Sequence, residues 1–164
     1  MSAKVSNLAI RILRNAMFPA LPQDLQALFP KVQDPFAPPN NQEPVPNIMP
    51  GEYEDYGANA GAILITVYSY GPTEPITRVY RHLTLAVDIW VSAAQATNVD
   101  GRRIVEILYE YVRRTLQETN WSGQLVQIER SYEIERSKVL FEPTNKIYHI
   151  TNLYRVEALS QTWY

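Results

Sequence analysis

The chain has 164 residues, 46% of them hydrophobic and 20% charged, which suits a single folded domain over residues 1–164 and excludes wholesale disorder. Lys plus Arg total 15 and Asp plus Glu total 17, and the formal charge of -2 argues against a dedicated nucleic-acid binder. Without cysteine there is no disulfide framework, thiol nucleophile or Cys-ligated zinc, and no uncharged apolar run is long enough to span a membrane.

Val5, Leu8, Ala9, Ile12, Leu13 and Ala16 recur at helical spacing and predict an amphipathic helix over 4–17. Lys4, Arg11 and Arg14 fall off its apolar face. Arg11 and Arg14 also interrupt any signal-peptide core, and the basic amphipathic pattern is that of a surface helix rather than a transit peptide. The helix is expected to stop near Phe18, ahead of Pro19 and Pro22.

Of the 12 prolines, 9 lie between Pro19 and Pro50. Residues 24–29 suit a short helical turn, and 30–50, with seven prolines, read as a long irregular loop or arm. The arm as a whole spans about 19–57 and ends in an acidic stretch with Glu52, Glu54 and Asp55.

Residues 61–70 (GAILITVYSY) form a β-branched and aromatic run that stops at Gly71-Pro72, a strand bounded by a turn. Residues 77–92 alternate strictly. Leu83, Leu85, Val87, Ile89 and Val91 take one face, and His82, Thr84, Ala86, Asp88 and Trp90 the other. The two strands are expected to pair as a hairpin.

Asp100 is the predicted N-cap of a helix over 101–119, whose stripe is Ile104, Ile107, Leu108, Tyr111, Val112 and Leu116. A third strand covers 124–136, with Val126, Ile128, Tyr132 and Ile134 on one face and Arg130 as the exception there. Its other face carries Glu129, Glu133 and Glu135 as a row of carboxylates. A fourth strand covers about 146–159, with Tyr148, Ile150, Tyr154, Val156 and Ala158 on one face and Asn152 as the exception. The order α, Pro-rich loop, β-β, α, β-β predicts an α+β fold: a mainly antiparallel four-stranded sheet with helices packed on one face.

Chemistry-bearing motifs are sparse. His82 and His149 have no metal-ligand spacing and read as locally hydrogen-bonded strand residues. Asp88 lacks a catalytic constellation and suits a cross-strand pairing to Arg or Tyr. Phosphate-cradling loops and a nucleophile elbow are absent, and Glu106 with Glu110 reads as a charged helix face neutralised by Arg102, Arg103, Arg113 and Arg114. No catalytic residue, metal ligand or cofactor site is therefore assigned. The eleven Tyr and three Trp favour an interaction protein.

The strands ILITVYSY and HLTLAVDIWVS, the helix GRRIVEILYEYVRRTLQ, the pair VQIERSYEIE and IYHITNLYRVEA, and the opening helix AIRILRNAM together resemble the tail terminator (tail completion) proteins of tailed bacteriophages. The resemblance implies a virion protein of the tail-neck region, assembled in the host cytoplasm, that closes into a ring of six copies. Such a ring caps the tail tube and joins it to the head connector or stopper protein, and DNA passes through its lumen without specific binding. No catalysis, cofactor or membrane is implied. On this resemblance Glu129, Glu133 and Glu135 are expected to face the lumen, where carboxylates repel phosphate. Phe36, Pro38, Pro39, Ile48, Glu52, Tyr53 and Tyr56 are expected to reach a neighbouring subunit or the connector. The alternatives are another neck component (a head-completion or stopper protein), a tube or baseplate subunit, and an enzyme built on His82, Asp88 and Tyr148.

Overall fold

The structure, a computed structural model, describes residues 2–38, 40, 43–52, 61–71, 74–75, 80–94, 100–119, 121 and 126–160. Helix α1 (Ser2–Ile12) runs into a π-helical turn at Leu13–Met17, a single helical turn α2 (Phe18–Ala20) and a short helix α3 (Gln23–Leu28). Strands β1 (Lys31–Gln33), β2 (Pro44–Pro46), β3 (Ile48–Pro50), β4 (Ile63–Ser69), β5 (Glu74–Pro75) and β6 (Tyr80–Ser92) follow. Helix α4 (Gly101–Glu118) precedes β7 (Val126–Arg136), β8 (Leu140–Glu142) and β9 (Ile147–Ser160).

The architecture is α+β, as expected, with a larger sheet. Seven strands form it along the path β3-β4-β6-β9-β7, with β5 paired to β6 and β8 to β9. The pairs are antiparallel except β3 with β4, which run parallel, so the sheet is mixed. Strands β1 and β2 make a separate antiparallel hairpin. These three-residue strands, of which β2 carries two prolines, are too short to show a period of two, which is why the segment 30–50 reads as loop in sequence.

The core lies between one sheet face and the helices. Ile63, Ile65 and Val67 of β4, Leu85, Val87 and Ile89 of β6, and Tyr154 and Val156 of β9 meet Ile10, Leu13 and Met17 from the N-terminal helix and Leu108, Val112 and Leu116 from α4. The predicted helix α4 and its cap are present: Asp100 Oδ1 accepts from the N–H groups of Arg102 and Arg103 at 3.2 and 3.4 Å. At its far end the Trp121 indole donates to the Leu116 carbonyl at 3.0 Å, meeting one of the carbonyls that a helix end leaves open.

The N-terminal helix departs from expectation twice. Helical backbone continues through Pro19 to Ala20, because proline is tolerated within the first turn of the helix that starts anew after the π-helical one. Arg14, expected off the apolar face, is buried, while Ala16, expected on it, is exposed and Met17 takes its place. The π turn re-phases the helix and aims Arg14 inward.

Candidate functional site

The Pro-rich segment folds back on its own body. Ile48 is buried in the core, paired in register with Ile65. It is therefore not a partner-contacting residue, contrary to expectation, because β3 joins the sheet of its own chain. The Arg14 guanidinium donates to the Ile48 carbonyl through Nε at 3.0 Å and through a second nitrogen at 2.6 Å, and to Asp34 Oδ1 at 2.8 Å. Its carbon lies 5.9 Å from the Phe36 ring centre, and half-buried Phe36 itself packs on the core. Burial pushes the Asp34 carboxyl up, but the Phe36 N–H and Arg14 outweigh it and hold the group below its ordinary value of 3.8. Pro35, Pro38 and Pro44 are exposed along this hairpin, as is Glu52 beyond it. The expected arm residues Pro39, Tyr53 and Tyr56 lie outside the described residues.

The carboxylate row on β7 does not survive folding. Two irregularities interrupt the β7–β9 ladder, between Ile128 and Arg130 and between Glu133 and Glu135. Each inserts one residue and so flips the alternation that follows. Glu129 is the extra residue at the first bulge and Ile134 at the second. Glu133 turns to the helix side, where it accepts from the Tyr109 hydroxyl at 2.5 Å. Glu129 and Glu135 are exposed. The three carboxylates thus share no single face, and the continuous lumen stripe is not present.

The first bulge also explains why Arg130 breaks the apolar pattern. It is carried opposite Glu157, to which its guanidinium donates at 3.1 and 2.9 Å, and His82 Nε2 stands 3.6 Å from the same carboxylate. The N–H of Glu133 is taken by Gln117 Oε1 at 3.0 Å, from α4. Between β7 and β8, Ser137 keeps the ladder going. Its N–H donates to the Thr151 carbonyl at 2.8 Å and its Oγ accepts the Thr151 N–H at 3.0 Å. Strands β7 and β8 thus make one margin of the sheet. Along it Ile134, Leu140 and Phe141 are 44%, 47% and 48% exposed.

On the sheet face away from the helices, Thr66, Asp88 and Thr151 lie side by side on three strands. Tyr68 and Thr151 act on the Asp88 carboxyl from the neighbouring strands, Tyr68 being the expected cross-strand tyrosine, while Asp88 Oδ1 is buried with no hydrogen-bond partner among the described residues. His149 stacks on Trp90 with ring centres 4.3 Å apart. Burial raises the Asp88 carboxyl above its ordinary 3.8, against the two hydroxyls and His149, which lower it. Burial likewise lowers His149.

An enzyme built on His82, Asp88 and Tyr148 finds no geometry here. His82 and Asp88 are six residues apart on one strand, roughly 20 Å. Tyr148 belongs to the opposite face, its ring tilted against that of Phe141 with centres 4.5 Å apart.

The raised Asp88 gives a signed prediction. A carboxyl raised by folding supports the native state fully below its unfolded value, and that support is lost as pH rises through the raised folded value. Asp88→Asn is therefore expected to raise the thermal midpoint near neutral pH, with the gain disappearing in acid below about 3.8. A gain that persists unchanged in acid would show that charge is not its origin.

Glu110 pairs with Arg113 at 2.9 Å, in line with a charged helix face, and no group of acidic and histidine side chains among the described residues is arranged to hold a metal ion. No described helix is long and apolar enough to cross a membrane.

No family model and no curated protein matches the chain. Among solved structures it is similar to a chain of the "Virion of native gene transfer agent (GTA) particle", at a TM-score of 0.50 and 10% identity, over 70% of this chain and 79% of that one. The likeness is one of fold.

Proposed function

We propose that the chain is a structural subunit of a phage-like particle, working by contact rather than turnover. More finely, it acts as a tail terminator that closes into a ring, caps the tail tube and joins it to the head connector or stopper protein. The observation that carries this reading is the fold shared with a chain of a gene transfer agent virion. The order of elements over Gly61 to the C-terminus supports it, as do the exposed apolar side chains Ile134, Leu140 and Phe141 on β7 and β8. DNA passes through such a ring without specific recognition, and the formal charge of -2 suits a wall that does not hold phosphate.

Co-expression with the tail tube protein of the same particle, followed by electron microscopy, tests the reading. Rings at the ends of tubes of uniform length, and co-purification with the tube protein, are the expected outcome. Co-purification with the portal-side adaptor alone would move the chain to the head-completion or stopper class. Unlimited growth into tubes of this chain would make it a tube subunit.

A further inference from the structure

Arg14 grips two separate parts of the Pro-rich segment at once. Its guanidinium donates to Asp34, next to the end of β1, and to the Ile48 carbonyl of β3, with a nitrogen 3.4 Å from the Met49 sulfur. Asp34 in turn accepts the Phe36 N–H at 3.0 Å, which fixes the chain as it leaves β1.

Neither part is strongly fastened by other means. The β1–β2 hairpin stands outside the main sheet. Within β2 only Val45 carries a backbone N–H, because its neighbours are Pro44 and Pro46. A two-stranded ribbon is marginal on its own. Strand β3 is a three-residue edge strand in which only Ile48 is buried, and it pairs in parallel with β4, the slightly weaker arrangement. At that seam the Ile65 N–H donates to the Asn47 carbonyl at 3.1 Å, and the Gly51 N–H to the Val67 carbonyl at 3.2 Å. The Asn47 side-chain amide donates to the Ile63 carbonyl at 3.2 Å. Strands β6 and β9, in contrast, pair along their whole shared length from Tyr80 to Ser92 in the middle of the sheet. Segments held by few backbone bonds and little buried apolar surface open locally, in contiguous units, at a lower free energy than the whole molecule.

We infer that β1, β2 and β3 are a strap that opens from the body as one unit ahead of global unfolding, with Arg14 as the latch that couples its two parts. Opening takes β3 out of the sheet. The peptide groups of Ile63, Ile65 and Val67 that now face it then become an uncovered edge. The closed strap thus withholds β4 from pairing with any other extended chain.

Native-state hydrogen exchange on the full chain, followed amide by amide by NMR in low denaturant, tests this. The reporters are Val45 for the hairpin, and Ile65 and Gly51 for the β3–β4 seam. In the wild type all three are expected to share one opening free energy, lower than that of the central β6 and β9 amides. Their denaturant dependence is expected to fall well below that of global unfolding. The full global dependence at Ile65 and Gly51 would overturn the strap, and this measurement needs no variant.

Asp34→Asn tests the coupling. Asp34 is bonded to Arg14 and to Phe36, and to neither β3 nor β4 among the described residues. Its substitution is nevertheless expected to speed exchange at Ile65 and Gly51 as much as at Val45, by roughly tenfold. Arg14→Ala is expected to move all three together by roughly 100-fold. Faster exchange at Val45 with Ile65 and Gly51 unmoved would divide the strap into two independent pieces and overturn the latch.

Discussion

Arg14→Ala is expected to lower stability by about 3 kcal/mol, within the range for breaking a buried, hydrogen-bonded charge. In a chain of this size that is a fall of roughly 6–12 °C in thermal midpoint. The guanidinium ties three pieces of backbone that are distant in sequence: the π turn, the hairpin at Asp34 and the edge strand at Ile48. Its loss leaves the Ile48 carbonyl without these donors and Asp34 without its cation.

Arg14→Lys is expected to recover only part of the loss, since an ammonium cannot present the planar fork that holds Ile48 and Asp34 together. The pH dependence follows from Asp34. Its carboxyl is lowered in the folded chain, so its contribution is present above the ordinary value of 3.8 and is lost as pH falls through the lower folded value. The Arg14→Ala chain should therefore lose less stability over that acid range than the wild type. Thermal unfolding of both chains from neutral pH into acid measures this, and parallel curves would remove Asp34 from the account.

Asn152→Leu is expected to act in the opposite direction. Asn152 is fully buried on the helix-facing side of β9, in register with Val87 of β6, and among the described residues neither its amide oxygen nor its nitrogen has a hydrogen-bond partner. A buried amide left unpaired costs about 1–3 kcal/mol, and a leucine of similar size removes that cost while adding apolar contact. A gain of about 1–2 kcal/mol, or roughly 2–8 °C in midpoint, is the expected result. Denaturant unfolding with an unchanged slope would confirm that the native state is the one affected. A lowered midpoint would mean that the leucine is strained in the space the amide occupies.

Arg130 and Asn152 mark what the sequence makes legible and what it hides. Both break an apolar alternation, and in sequence the two exceptions look alike. Arg130 proves to mark a bulge that moves it to the other face, where Glu157 holds it. Asn152 keeps the register and is buried as an amide. Telling them apart needs the neighbouring strand, because a bulge is a property of a pair. Helix α4 was readable through to its Asp100 cap, because period and cap are both local. The long strands β6 and β9 were readable for the same reason, each running past ten residues of alternation.

The burial of Arg14 was not readable. The π turn that re-aims it has no composition signature, and its partners Asp34 and Ile48 lie 20 and 34 residues away. For the candidate site, the same bulge that explained Arg130 scattered the three glutamates, so a correct strand assignment still gave the wrong face. The apolar margin of Ile134, Leu140 and Phe141 was hidden too. Alternation puts Ile134 on the apolar face with Ile128, and β8 is a strand of only three residues.

The two sheet margins have a joint consequence for colloidal behaviour. At one end Pro50 supplies no backbone donor, and at the other the twisted β7 has a helix side chain on one of its donors. Fibril growth by adding chain to chain through main-chain ladders is thus obstructed at both ends. A chain with both margins blunted in this way can be held at high concentration without seeding amyloid-like deposits.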